Sequence, residues 1–395
     1  MAIRVWFSPF YDKLLVVILD IMCYNHYLGG VLMKRFRPHS IYSKIFRVVL
    51  ILFLIVLLLA AAVFWFVWSK LGLISYDDSV ADTHESSSSP TEPNFDPIEA
   101  TNVVPVEDLL SVTEPDSVIS DPADDISAND SVLNILLIGT DERTTDYITN
   151  ARSDCMIVVS INKELKTVRL VSLERGIGVP ILEGDLKGQY DLLTHVFRWG
   201  GADLLLKTVR HCFELDIEHY VRLNFAAVEK IIDAVGGIDM HLKAREVPEV
   251  YGWPEDTDKV AYDGMYHLDG RRALNFARLR SIDSDWQRVQ RQRKVILSVV
   301  DELKDSSLME LNDLADVALP LIQTNLTQLE VAELLLYAPN FLKSEFDQMT
   351  IPKQGTYGAT GIPNGKGFAV DFEINNDLLY RFLYEGVSSE ELLAE

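Results

Sequence analysis

From Val48 to Trp68 the chain reads VVLILFLIVLLLAAAVFWFVW, twenty-one residues without a charge, a glycine or a proline. A helix of that length crosses a hydrocarbon core of roughly 30 Å. Lys34, Arg35, Arg37, Lys44 and Arg47 precede the run, and Lys70 alone follows it closely. The positive-inside rule then places the N-terminus in the cytoplasm and the chain beyond about residue 70 outside. Trp65, Phe66 and Trp68 suit the interfacial belt at the outer end. The run is too long and begins too far from Met1 for a cleavable signal. Leu14–Met33 is a weaker apolar stretch, interrupted by Asp20, Asn25, His26 and Gly29-Gly30. It reads as a cytoplasmic or interfacial segment; if it crossed the bilayer, the basic stretch would not share a compartment with the N-terminus.

The rest of the chain is long enough for a substantial core. The formal net charge is -23, which speaks against a nucleic-acid partner. Between Asp77 and Asp130 lie fifteen acidic side chains and no Lys or Arg, among many Ser and Pro. Such a segment has too little apolar surface to offset its ordering entropy and extends by self-repulsion. The reading is therefore a cytoplasmic segment at 1–47, a transmembrane helix at 48–68, a disordered acidic tether at 69–131 and a folded outer domain at 132–386. A chain starting near Ser131 is expected to fold without the tether. The three cysteines, Cys23, Cys155 and Cys212, form no CxxC pair. Cys155 and Cys212 read as two buried free thiols, with pairing between them as the alternative.

In the outer part, Val132–Ile138, Met156–Ile161 and Thr167–Leu173 read as buried strands, with a turn at Lys163-Glu164. Ala202–Phe213 after Gly200-Gly201, Phe225–Val235, Gly270–Leu279 and Trp286–Leu303 carry helical periodicity. Strands mixed with helices imply a layered α/β domain. Charge concentrates where these elements end: Asp141, Glu142 and Arg143 after the first strand, Arg152 and Asp154 before the second, Arg175 beyond the third. A last cluster holds Arg278, Arg280, Asp283, Asp285, Arg288, Arg291 and Gln292. Carboxylates at strand ends suit Mg²⁺, which commonly uses one or two of them plus substrate phosphates. Guanidinium groups grip phosphate with paired, charge-assisted hydrogen bonds. Together they point to phosphoryl-group chemistry. Taken singly, each is better explained by a surface ion pair, and some of Arg288, Arg291 and Lys294 by a solvated helix face; it is their combination in an acidic chain that favours the phosphoryl reading. No GxSxG, HExxH, GxxxxGK[ST] or GxGxxG pattern is present, and His195 reads as a hydrogen-bonded structural histidine.

These clusters resemble the LytR-CpsA-Psr family. The resemblance is carried by NILLIGTDER at Asn134–Arg143, RSD at Arg152–Asp154, THVFRWGG at Thr194–Gly201 and VGGID at Val235–Asp239. LDGRRALNFARLRSIDSDWQRVQRQRKVI at Leu268–Ile296 is its most specific piece. It implies a three-layer α/β/α sandwich around a central mixed sheet, with an apolar pocket for a polyprenyl chain. It implies a Mg²⁺-dependent transferase that moves a glycopolymer from a polyprenyl-pyrophosphate carrier in the membrane to peptidoglycan. Carried over by motif, Asp141 and Asp154 would bind Mg²⁺. Arg152, Arg175, Arg278, Arg280, Arg288 and Gln292 would hold the pyrophosphate, and Asp285 would orient the arginines or act as a base. Two positions depart from the pattern: Gly176 stands where an acid is usual in Ser-x-x-Arg-Asp, and Leu192 where a Lys is frequent. A polyprenyl-pyrophosphate hydrolase and a non-catalytic lipid-binding regulator of envelope assembly are the alternatives.

The topology has a direct check. Protease added to intact protoplasts should digest the domain beyond residue 70; full protection would contradict the outward orientation.

Overall fold

The computed structural model describes residues 68–76, 131–142, 151–254, 258–360 and 367–394. All belong to the second of two units, Val67–Glu395. The Leu14–Met33 segment, the Val48–Trp68 run apart from its last residue, and the acidic stretch 77–130 lie outside the described residues. Among the described residues no helix is long and apolar enough to cross a membrane.

The chain opens with a short strand β1 (Ser75–Tyr76), then three longer ones: β2 (Val132–Thr140), β3 (Ser153–Asn162) and β4 (Thr167–Leu173). A small hairpin follows, β5 (Gly178–Pro180) and β6 (Tyr190–Leu192), which leads into helix α1 (Leu193–Phe213). Next come β7 (His219–Asn224), α2 (Phe225–Ala234) and a hairpin of β8 (Ile238–Leu242) and β9 (Gly264–Leu268), with one turn of helix, α3 (Val247–Tyr251), between its strands. Helices α4 (Gly270–Arg278), α5 (Asp285–Lys304) and α6 (Leu308–Ala318) precede β10 (Gln323–Thr324) and α7 (Gln328–Phe341). The chain finishes with β11 (Glu345–Ile351), the hairpin β12 (Tyr357–Thr360) and β13 (Gly367–Val370), α8 (Phe372–Leu383) and α9 (Ser389–Ala394).

Seven strands make one mixed sheet in the order β1-β10-β7-β2-β3-β4-β11. β2 runs parallel to β7 and antiparallel to β3, which is antiparallel to β4. β2, β4 and β7 therefore point the same way, and their C-terminal ends meet the start of β3 at one end of the sheet. Helices cover both faces, so apolar side chains line both faces of the central strands, and their sequences are nearly continuous apolar runs rather than alternating ones. On one face Leu136, Met156 and Val158 pack against α1 and α8. On the other, Ile157 and Leu170 pack with Ile296 of α5 and Leu334 and Phe341 of α7. A second core joins the β8–β9 hairpin to α2, α4 and α5 through Ile238, Phe276 and Val295.

The observed strands extend the expected ones at their ends, and β4 coincides with its expected span. The β3–β4 turn is set by Asn162, whose Oδ1 accepts hydrogen bonds from Glu164 N at 3.0 Å and Leu165 N at 2.8 Å. Helix α1 begins nine residues before the expected Ala202, because Gly200 and Gly201 kink it rather than precede it. Gly201 sits at φ 67°, ψ −156°, a conformation open essentially to glycine alone. Cys155 and Cys212 are free thiols in different cores on opposite faces of the sheet, which excludes their pairing in this fold.

One boundary moves. Residues 69–76 belong to the domain and not to the tether expected there: Leu71 and Ile74 are buried against Leu319, and Ser75–Tyr76 pair in parallel with β10. Their three-residue spacing places both on one side of a turn, a signal too short to stand out between the apolar run and the acidic segment. A chain starting at residue 131 is therefore expected to be less stable than one starting at 67, by roughly 3 kcal/mol for two lost apolar side chains. Equal midpoints for the two chains in urea would show that this packing contributes nothing.

Candidate active site

The end of the sheet where β2 and β4 finish and β3 begins collects most of the charged residues singled out above. Asp141 directly follows β2, and Asp154 is the second residue of β3. The β2–β3 register slips by a bulge between Gly139 and Thr140, so Gly139 pairs with Cys155 and Thr140 with Ser153. A Cβ on Gly139 would stand 2.8 Å from the Cys155 Cβ, so only glycine permits this approach. The bulge re-aims the strand end where the acids sit. Asp141 is held in place by its Oδ1, which accepts the backbone N–H of Arg152 at 3.0 Å.

Arg175, two residues beyond β4, is the centre of the arrangement. Its Nη1 donates to Asp154 Oδ1 at 2.9 Å and its Nε to Asp285 Oδ2 at 2.8 Å. Asp285 opens α5, where a negative charge meets the positive end of the helix dipole. The same Oδ2 accepts from Arg288 Nη2 at 3.1 Å, and Asp285 Oδ1 lies 3.3 Å from Arg280 Nε. Arg280 Nη2 stands 3.8 Å from Asp154 Oδ1. Three guanidinium groups thus share two carboxylates, and the assembly carries a formal charge of about +1 on these five groups alone. In a chain of net charge -23 that is a local reversal, and a phosphate-bearing ligand would complete it.

Two orphaned atoms lie on the same helix. Arg288, almost fully buried, has an Nε with no hydrogen-bond partner, and Gln292, one turn further, has a buried Oε1 with none. Arg278 faces the ring of Phe225 at 4.3 Å, and Arg152 is exposed. The structure therefore gathers Asp154, Arg175, Arg280, Asp285 and Arg288 into one network, with Asp141 beside it. It gives Arg278 and Arg152 no direct bond to that network.

Arg291, part of the same sequence cluster, has a different task. It is buried, and it donates to Glu246 Oε1 at 3.0 Å, to the Leu279 carbonyl at 3.1 Å and to both oxygens of Asp283. It clamps both ends of the 279–283 segment and so fixes where Arg280 can reach. Burial lowers its pKa, and the two carboxylates more than restore it. His195 is a structural histidine: its Nδ1 shares a proton with Asp191 Oδ1 at 2.8 Å, and Asp191 also accepts from Trp199 Nε1 at 2.9 Å.

Sequence reasoning missed Glu174. It is fully buried, no side chain hydrogen-bonds to its carboxylate, and burial pushes its pKa up to about 7. The negative charge of Asp285 adds to that rise, and Arg175 and Arg293 oppose it. At position 176, where the family pattern has an acid, the Gly176 carbonyl accepts Phe368 N–H at 2.8 Å. The signal for Glu174 was an acid directly after Leu173, the last residue of a strand whose burial is nearly complete. Among the described residues no three His, Cys, Asp or Glu side chains gather as a metal site. Asp141 and Asp154, the two carboxylates expected to hold Mg²⁺, lie on either side of the β2–β3 bulge.

A layered α/β domain with an arginine–aspartate site at the end of its mixed sheet is the scaffold of a protein that handles a phosphorylated ligand. The match of residues 108–369 to the LytR_cpsA_psr family model places the chain in that family. The chain is 29% identical over 221 residues to the polyisoprenyl-teichoic acid–peptidoglycan teichoic acid transferase TagT of Bacillus subtilis, covering 55% of this chain and 67% of that protein. It is 32% identical over 233 residues to the corresponding transferase TagU of Bacillus cereus, covering 58% of this chain and 72% of that one. A solved structure of TagT bound to LIIa-WTA superposes with a TM-score of 0.52 at 25% identity, over 65% of this chain and 92% of that one.

The raised pKa of Glu174 makes a stability forecast. A carboxyl whose folded pKa lies above its unfolded value of about 4.3 stabilises the fold below that value, and this contribution is lost as pH rises to about 7. Glu174→Gln should therefore match the parent near pH 4.5 and exceed it at pH 8 by roughly 2 kcal/mol, at 1.36 kcal/mol per pH unit and allowing for relaxation. Denaturation midpoints at the two pH values check this; a variant less stable at pH 8 would show that the carboxylate is partnered.

Proposed function

We propose that this chain is a membrane-anchored, Mg²⁺-dependent phosphotransferase that moves a glycopolymer from a polyprenyl-pyrophosphate carrier to peptidoglycan. The observation that carries this reading is the convergence of Arg175, Arg280 and Arg288 on Asp154 and Asp285 at the sheet's end. Membership of the family and the names of its transferase relatives support the class of polymer and the acceptor. Teichoic acid-like glycopolymers are the substrates those names suggest.

Entry of a pyrophosphate would turn Arg175 and Arg280 from the internal carboxylates to phosphate oxygens. Arg288, deeply seated and fixed through Asp285, would hold its place. An acceptor hydroxyl then attacks the phosphorus of the polymer-linked phosphate, and the bond from that phosphorus to the bridging oxygen breaks. Polyprenyl phosphate leaves with the electron pair, and a phosphodiester joins polymer to wall. The hydroxyl proton passes to a carboxylate, and Asp285, released from two of its arginines, is the group placed to take it. The arginines act where charge grows on the leaving phosphate, which is the kind of stabilisation that speeds the step rather than only tightening binding. Bound between Asp141, Asp154 and the phosphates, Mg²⁺ would supply further charge neutralisation there.

The carrier's hydrocarbon chain needs an apolar surface leading away from this site. Along β2 and β3 the sheet face carrying Leu137, Cys155 and Val159 is only partly covered by α5 and α7, while the opposite face is sealed. Each methylene buried there would contribute about 0.8 kcal/mol.

Turnover of a lipid-pyrophosphate-linked glycan, with and without Mg²⁺, tests the assignment. Asp154→Ala should lose on the order of 10²–10³ in turnover, as removal of one transition-state stabiliser does, with little change in lipid binding. Arg280→Ala should weaken both, and Arg280→Lys should recover only part, since an ammonium lacks the paired donors. Undiminished turnover in Asp154→Ala would remove the metal assignment. Product that appears only as free polymer phosphate, even with acceptor present, would favour hydrolysis.

A further inference from the structure

Among the described residues, nothing covers the outer side of α7, which presents large apolar side chains around Glu333 and Asn340. Leu329 is 73% exposed and Leu336 is 78% exposed, and seven residues apart they lie on one face of the helix. Tyr337 and Leu335 extend the patch, and Met309 of α6 is 76% exposed. The opposite side of α7 is occupied: Leu334 and Phe341 pack on the sheet, and Val331 packs on Leu71 and Ile74. Large exposed apolar side chains at helical spacing are more than the scattered ones expected on a soluble surface.

Chain length says what covers them. The apolar run ends at Trp68, and Leu71, three residues later, is already buried against α6, α7 and Leu319. Residues 68–71 are helical, so these three steps span about 5 Å, and even fully extended they would span about 10 Å. Tyr76 continues the contact, with its hydroxyl donating to the Leu71 carbonyl at 3.0 Å. The long acidic segment therefore does not separate the domain from the point where the run ends. In sequence it connects β1 to β2.

From this we infer that the α6–α7 surface rests on the outer leaflet of the bilayer, with Leu329, Leu336 and Met309 in its headgroup–acyl boundary. The inference depends on the reading of Val48–Trp68 as a membrane span. Of the acids on these helices, Asp316 is paired with Lys70, Glu333 with Lys163 at 3.6 Å and Glu330 with His219 at 3.5 Å, while Glu310 and Asp313 are exposed and would have to stay on the water side of the boundary. The placement also suits a lipid substrate. α7 would stand between the bilayer and the partly covered sheet face, so a polyprenyl chain could pass from one to the other without crossing water. Trp68, itself half-exposed, marks the level of the interface.

The test uses the full chain in lipid nanodiscs, with a nitroxide on Leu329→Cys, Leu336→Cys or, as a remote control, Tyr262→Cys, and the unsubstituted chain as background for the native thiols. All three are surface positions, so folding should be unaffected. Collision rates with lipid-soluble oxygen and with a water-soluble nickel chelate are compared. The expected result is a several-fold higher oxygen-to-nickel ratio at 329 and 336 than at 262. Equal ratios at all three positions would overturn the docking. Resistance of the parent chain to alkaline carbonate extraction from membranes reports the span independently. Extraction would overturn the span and the docking with it, whereas retention with water-exposed labels would overturn the docking alone.

Discussion

Three guanidinium groups cannot be crowded at one end of a sheet without anions between them. Two unit charges 4 Å apart repel by about 4 kcal/mol at an effective dielectric of 20, and Arg175, Arg280 and Arg288 all converge on Asp285. Asp285, at the first position of α5, is the internal anion that makes the arrangement possible before any ligand binds. Its partner Asp154 does the same from β3, and Arg175 ties the two together. A pyrophosphate would take over a role the protein already fills with its own carboxylates, so the site is preorganised for negative charge rather than assembled by it.

The surroundings keep those five side chains in place. Arg291 holds both ends of the 279–283 segment, and the buried pair of Arg222 and Glu142 ties β7 to the end of β2. Arg222 also lies over the ring of Phe197 on α1, at 4.6 Å. Removing one partner from such a buried pair leaves an uncompensated charge, which costs far more than an exposed pair contributes. Glu174 is the exception in this neighbourhood. It is buried with no side chain hydrogen-bonded to its carboxylate, and burial raises its pKa to about 7, which relieves that cost.

Much of this was legible in the sequence, for identifiable reasons. β2, β3 and β4 are buried on both faces, so their apolar runs are continuous and their ends are sharp, and charged residues at those ends stand out. The helices α2, α4 and α5 carry clear periodicity. What the sequence hid depends on contacts between distant residues. Nothing local separates Arg291, which clamps a loop, from Arg288, which faces the site; three positions on one helix decide it. Glu174 is a lone acid at a strand end until the fold removes its solvent. Leu71 and Ile74 look like the tail of the apolar run until Leu319, some 250 residues on, is brought against them.

The central claim is that the Asp154–Arg175–Asp285 network is where a lipid pyrophosphate sits. The most direct measurement is a crystal structure of the protein with Mg²⁺ and a polyprenyl pyrophosphate. The account predicts phosphate oxygens within about 3 Å of the Arg175 and Arg280 guanidinium groups, their contacts to Asp285 loosened, and the prenyl chain along Leu137 and Val159. Pyrophosphate bound elsewhere, with Asp285 still bridging all three arginines, would contradict it.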